Sequence, residues 1–143
     1  MSLKLGRAFI DAIESNPELL VTLGADPETL QGARLFAVAR TDEDEAEDLL
    51  PYVVMMPNGV TTQGSKDDYD QTDTATIDLL IVAETFDALI DLATDVRQTV
   101  EQNLCDDPEF RIDDWTFSAN AVTYDDKRPC FFQTLTYMCN TQN

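Results

Sequence analysis

The chain has 143 residues, with 28 Asp and Glu against 9 Lys and Arg, no His, and a formal net charge of −19. Apolar residues make up 43% of it, enough to build a core, so it reads as one acidic domain over residues 1–143 rather than a disordered tail. A field of that sign repels DNA and anionic membrane, and the lack of His removes Ser-His-Asp triads, Cys-His dyads and His-ligated metals.

Residues 2–16 read as an amphipathic helix, with Leu5, Phe9, Ala12 and Ile13 on one face. Lys4 and Arg7 are not followed by an apolar signal-peptide region, so Met1-Ser2 reads as a cytoplasmic start. No run is long and apolar enough for a transmembrane helix. Asn16 and Pro17 supply an N-cap and a first helical position for a short helix ending at Gly24.

Ala33 to Arg40 is the first strand candidate. The acidic block at 42–48 is too densely like-charged to pack and reads as solvated. Tyr52 to Met56 is the second strand, closed by a Pro57-Asn58-Gly59 turn signal. Polar residues 57–72 then read as a mobile loop. Thr74 to Ala83 is the third strand. Ala75, Ile77, Leu79, Ile81 and Ala83 line one face of it, while the other face becomes apolar only at Leu80 and Val82.

A long helix follows from Phe86 to about Leu104, capped by Thr85. Its core stripe is predicted as Phe86, Leu89, Ile90, Ala93, Val96, Val100 and Leu104. Trp115 to Ala121 and Cys130 to Cys139 alternate as two further strands, joined by a turn at Asp125–Pro129 and expected to pair antiparallel. The expected fold is α+β: a mainly antiparallel five-stranded sheet packed by the long helix and the N-terminal helix, in the order α-β-β-β-α-β-β.

No constellation of residues stands out for catalysis, cofactor binding or metal binding, and none of the three is expected. The paired acids Asp106-Asp107, Asp113-Asp114 and Asp125-Asp126 read as solvated turn or strand acids. Residues 67–73 space oxygen ligands like the start of a calcium loop, but Asp73 stands where Gly is required and Leu79 where Glu is required. Cys105, Cys130 and Cys139 form an odd set without a CxxC pair and read as reduced and mostly buried. Phosphate-binding glycine motifs are absent. The leftover apolar positions Leu80, Val82, Phe132 and Met138 form the candidate interface, either with a second layer of this chain or with another subunit.

The run Thr76-Ile77-Asp78-Leu79-Leu80-Ile81-Val82-Ala83-Glu84-Thr85-Phe86-Asp87-Ala88-Leu89, continuing through Leu92 to Arg97, resembles the strand-to-helix stretch of the tail terminator, or tail completion, family of long-tailed phages. Pro51-Tyr52-Val53-Val54 resembles the strand before that family's long loop, and the order of elements is similar over most of residues 3–138. The acidic block and the short helix at 17–24 are additions to that pattern.

The resemblance implies a non-enzymatic structural protein that caps the tail tube and joins it to the head. It also implies a homo-oligomeric ring, commonly a hexamer, meeting tail-tube and head-connector proteins. DNA would pass an acidic lumen without being read, there would be no membrane partner, and the protein would belong to the virion after assembly in the bacterial host cytoplasm. Thr61, Thr62, Gln63, Gly64, Ser65, Lys66, Asp67, Asp68, Tyr69 and Asp70 are then the candidate tail-tube loop. Deleting Thr61–Asp70 is expected to leave the fold intact. The chain is also similar in size, acidity and element order to type III secretion chaperones, acidic dimers that hold an extended effector segment on an apolar sheet surface.

Overall fold

The computed structural model describes residues 5–38, 49–64, 71–104 and 112–142. The N-terminal helix α1 covers Leu5–Glu14 and buries Leu5, Gly6, Phe9, Ala12 and Ile13, the spacing of a single helical face. Asn16 caps α2 (Pro17–Thr22), its side-chain oxygen accepting from the Leu19 N–H at 3.3 Å. Gly24 ends this region at φ +95, and a Cβ there would run into the Arg34 guanidinium. Arg34 in turn donates to the carbonyls of Leu50 (3.0 Å) and Pro51 (2.8 Å), tying the α2 exit to the start of the central sheet. Burial of that guanidinium lowers its pKa from the ordinary arginine value.

The strands are β1 (Leu35–Ala37), β2 (Tyr52–Gly64), β3 (Gln71–Ala83), β4 (Ile112–Ala119), β5 (Thr123–Asp125) and β6 (Cys130–Gln142). They form one six-stranded mixed sheet in the order β1-β2-β3-β6-β4, with β5 also on β6. The expected α+β class holds, while the five-stranded count does not. The sixth strand arises because β4 and β5 lie end to end along the same edge of β6. From Ala119 to Thr123 that edge advances four residues, while β6 advances three from Leu135 to Phe132. One residue is extra, and the ladder breaks around Asn120 as at a bulge. Asn120 still donates its N–H to the Thr134 carbonyl (3.0 Å) and accepts from the Gln133 side chain (2.8 Å).

β1 pairs with β2 in parallel, Leu35 opposite Val53, whereas the other strand pairs are antiparallel. A parallel neighbour cannot be reached by a tight turn and requires a long connection, here the segment 38–51.

The predicted loop over 57–72 is mostly strand. β2 continues to Gly64 and β3 begins at Gln71, with Thr61 opposite Thr74 and Gly64 opposite Gln71. Pro57-Asn58-Gly59 makes a bulge instead of a turn: the register slips between Pro57 and Val60, and Gly59 takes φ +107. The Thr-rich sequence beyond it has the β propensity to resume the ladder.

The long helix α3 covers Phe86–Leu104, with the Ala88 N–H donating to the Thr85 hydroxyl at 3.1 Å. It lies with α1 and α2 over one face of the sheet. Leu89, Leu92, Ala93, Val96 and Val100 join Leu5, Phe9, Ile13, Leu19 and Leu23 in a single cluster with Val53, Met55, Ile77, Leu79, Ile81, Leu135 and Tyr137. The predicted stripe is corrected on one flank: Leu92 is buried, while Phe86 and Ile90 remain 49% and 38% exposed.

Tyr137 is fully buried at the centre of this layer, with ring centroids of Phe9, Trp115 and Phe117 at 5.5, 5.8 and 5.2 Å. Its hydroxyl donates to Glu101 at 3.3 Å, and Arg97 donates to the same carboxylate at 2.8 Å while lying over the Phe117 ring. Burial first, and the neighbouring Glu101 charge second, push the Tyr137 phenol well above its ordinary pKa.

Candidate functional site

The pleat of β2, β3 and β6 sends alternate residues to the face that the helices do not cover. In register across that face run Tyr52, Val82 and Phe132; then Val54, Leu80 and Thr134; then Met56, Asp78 and Thr136. Phe36 lies beside Val54 in the β1–β2 pairing and meets Tyr52 edge-on at 6.3 Å. The face is divided in two. At the end where β3 finishes it is apolar, with Val54 and Val82 buried and Phe36, Tyr52, Leu80 and Phe132 half-buried.

Further along, the face is polar. Thr136 donates to Asp78 at 2.7 Å, Asn58 donates to the same carboxylate at 3.0 Å, and Thr74 donates to Asn140 at 2.9 Å. Val54 and Val82 belong to none of the helix-side cluster, so they form a separate buried layer.

Three of the four candidate interface residues come together here. Leu80, Val82 and Phe132 sit in the apolar half, although Val82 is only 2% exposed and offers little surface. Met138 shares the face but pairs with Thr76 and Thr116, about 20 Å along the strand from Phe132. It is 47% exposed and has polar neighbours in the ladder. The four residues therefore do not make one patch.

Of the candidate tail-tube loop, Thr61, Thr62, Gln63 and Gly64 are ladder residues of β2. Ser65, Lys66, Asp67, Asp68, Tyr69 and Asp70 lie outside the described residues. Deleting 61–70 would remove the β2 partners of residues 71–74, although residues 72–74 keep theirs on β6, so the deletion cuts into the sheet instead of a loop.

Alternation in the strands does not reveal the exposed end beside the apolar half. Phe86 meets Phe131 at 6.1 Å, and Phe131 meets Tyr124 at 4.9 Å. Phe86 and Tyr124 are 49% and 52% exposed, and Ile90 extends the patch one turn along α3. The signal in the sequence is the width of the apolar arc of α3. A helix face holding Phe86, Leu89, Ile90, Leu92, Ala93 and Val96 is broader than one sheet contact covers.

Cys130 and Cys139 are buried and form no disulfide among the described residues, and Cys105 lies outside the described residues. Asp73, which stands where a calcium loop requires Gly, is buried at 6% exposure within the ladder. Among the described residues there is no group of three or more His, Cys, Asp or Glu side chains placed to hold a metal ion. Nor is any described helix long and apolar enough to cross a membrane. An open depression of about 460 Å³ lies between α2 and β1, with Glu14 the single ionisable side chain among the described residues that line it. One carboxylate supplies no acid–base pair.

These features define a class: an α+β domain with three helices on one face of a mixed sheet and its unusual surfaces on the other face and at one end. No protein-family model matches the chain, and no curated protein matches it. Among solved structures it is similar to a chain in the virion of a native gene transfer agent particle. The TM-score is 0.64 over 97% of this chain and 95% of that one, at 12% sequence identity. At that identity the likeness establishes a shared fold over nearly the whole of both chains.

Proposed function

We propose that the chain is a structural protein of a phage-like particle, in which a ring of copies caps the tail tube and joins it to the head. The observation that carries this reading is the fold shared, end to end, with a chain of a gene transfer agent virion. The −19 charge supports the finer part: a wall with no cluster of Lys and Arg makes no phosphate contacts and lets a polyanion slide past. In this reading the protein is not an enzyme. Its partners are further copies of itself, the tail tube and the head connector, and it resides in the virion after assembly in the bacterial cytoplasm.

The test is the oligomeric state. Light scattering and negative-stain microscopy at high protein concentration are expected to find closed rings of the mass of about six copies. A stable dimer without rings would overturn the reading and favour the secretion-chaperone resemblance. Added to tails that lack their terminator, the protein is expected to seat at the open end of the tube.

A further inference from the structure

In a chain this acidic, the places where positive charge stands free are few. Among the described residues Arg7 pairs with Asp11, Arg97 pairs with Glu101, and Arg34 is committed to two carbonyls. Among the described residues Lys127 and Arg128 have no such partner. They are exposed side by side in the turn between β5 and β6, whose backbone is set by Asp125 accepting from both of their N–H groups (3.0 and 3.4 Å).

The register places this turn at the exposed aromatic end. Asp125 pairs with Cys130 and Tyr124 with Phe131, and Phe131 is the residue that meets Phe86. On α3, the exposed residues Asp87, Asp91 and Asp95 follow at steps of four, a ridge alongside Phe86 and Ile90. Asp87 lies in the first turn, where the helix dipole favours an acid, whereas like charges four residues apart repel, so Asp91 and Asp95 gain nothing from each other within the helix. Leaving Phe86, Ile90 and Tyr124 in water also costs the molecule burial it could otherwise have.

We propose that this end of the molecule is a contact between two copies of the chain, with Lys127 and Arg128 of one copy seated on the Asp87–Asp91–Asp95 ridge of the other and the Phe86, Ile90 and Tyr124 side chains closing between them. Charge complementarity selects the occupant. The basic turn requires an acidic surface with apolar side chains at its edge, and a second copy presents that surface. The aromatic centre with a charged rim has the usual anatomy of an interface in which a few large side chains carry the binding. This inference rests on the reading that copies of the chain assemble, and names where they touch.

A zero-length carbodiimide coupling, run on a mixture of unlabelled and ¹⁵N-labelled protein and read by mass spectrometry, tests it. Mixed-isotope peptides joining Lys127 to Asp87, Asp91 or Asp95 are expected. The double variant K127E/R128E is expected to weaken association by about tenfold or more, while melting within a few degrees of the parent. Adding D87K and D91K to that variant is expected to restore association, since it swaps the charges across the contact.

Rings that form without the Lys127 cross-link would overturn this contact and leave the ring reading standing. The cross-link without rings would keep the contact and overturn the ring. Absence of both would remove both, and a double variant that associates as the parent does would overturn the contact by itself.

Discussion

The two faces of the central sheet are built from the same three strands and differ in kind. Under the helices, Val53, Ile77, Leu79, Ile81, Leu135 and Tyr137 join one continuous cluster with residues of α1, α2 and α3. On the opposite face the apolar residues stop halfway, and hydrogen bonds donated by Thr136 to Asp78 and by Thr74 to Asn140 take over. Neighbouring residues therefore do different work. Leu79 is fully buried in the main core, while Leu80 is half-buried among Val54, Val82 and Thr134. The lesson is that apolar content alone does not mark a core. A face becomes core when another layer of the same chain covers it, and otherwise it retains apolar area that a second molecule can use.

That contrast can be broken experimentally, and the largest effect is expected at its sharpest point. Leu79→Ala is expected to destabilise by about 2–5 kcal/mol in urea unfolding, and Leu80→Ala by about 1 kcal/mol, since only part of its side chain leaves water. Equal losses would show that the uncovered face is a second core and would remove the distinction.

A smaller effect is expected in the polar half. Asp78→Ala removes the acceptor of Thr136 and Asn58 and is expected to cost about 0.5–1.5 kcal/mol. A neutral result would mean that solvent replaces both hydrogen bonds and that the polar half contributes nothing to folding.

A comparably small effect at neutral pH is expected from Tyr137→Phe, about 1 kcal/mol for one hydrogen bond. The pH dependence is the more telling readout. The folded state raises the phenol's pKa, so its contribution is complete below about pH 10, the ordinary phenol value. Above that value the unfolded chain gives up the proton while the folded chain keeps it, and stability falls as pH rises. The Phe variant is expected to lose this component of alkaline destabilisation. An unchanged alkaline slope would show that Tyr137 is not held in its protonated form by the helix-covered core.

Much of the helix-covered face is legible in the residues themselves. Thr85 before Phe86 marks the start of α3, Asn16-Pro17 marks α2, and alternation from Ala75 to Ala83 marks which side of β3 is buried. The candidate interface is legible only in part. Leu80, Val82 and Phe132 are rightly placed on the face away from the helices, but period-two alternation carries no information on distance along a strand. It therefore groups Met138 with residues it does not adjoin. The exposed patch of Phe86, Ile90 and Tyr124 escapes notice because each apolar side chain looks like core when only its own element is considered.

What local order can specify, this sequence specifies: caps, helix lengths, strand faces and the acidic character of the chain. What it leaves open are the relations between distant segments. The parallel pairing of β1, the slip at Gly59 that turns an apparent loop into strand, the break that divides β4 from β5, and the rotation of α3 that buries Leu92 and exposes Phe86 all depend on partners far away in the chain. Backbone hydrogen bonding and side-chain packing are satisfied between elements, and several arrangements fit any one element taken alone. Which apolar surface stays exposed is therefore settled only when the elements have chosen one another.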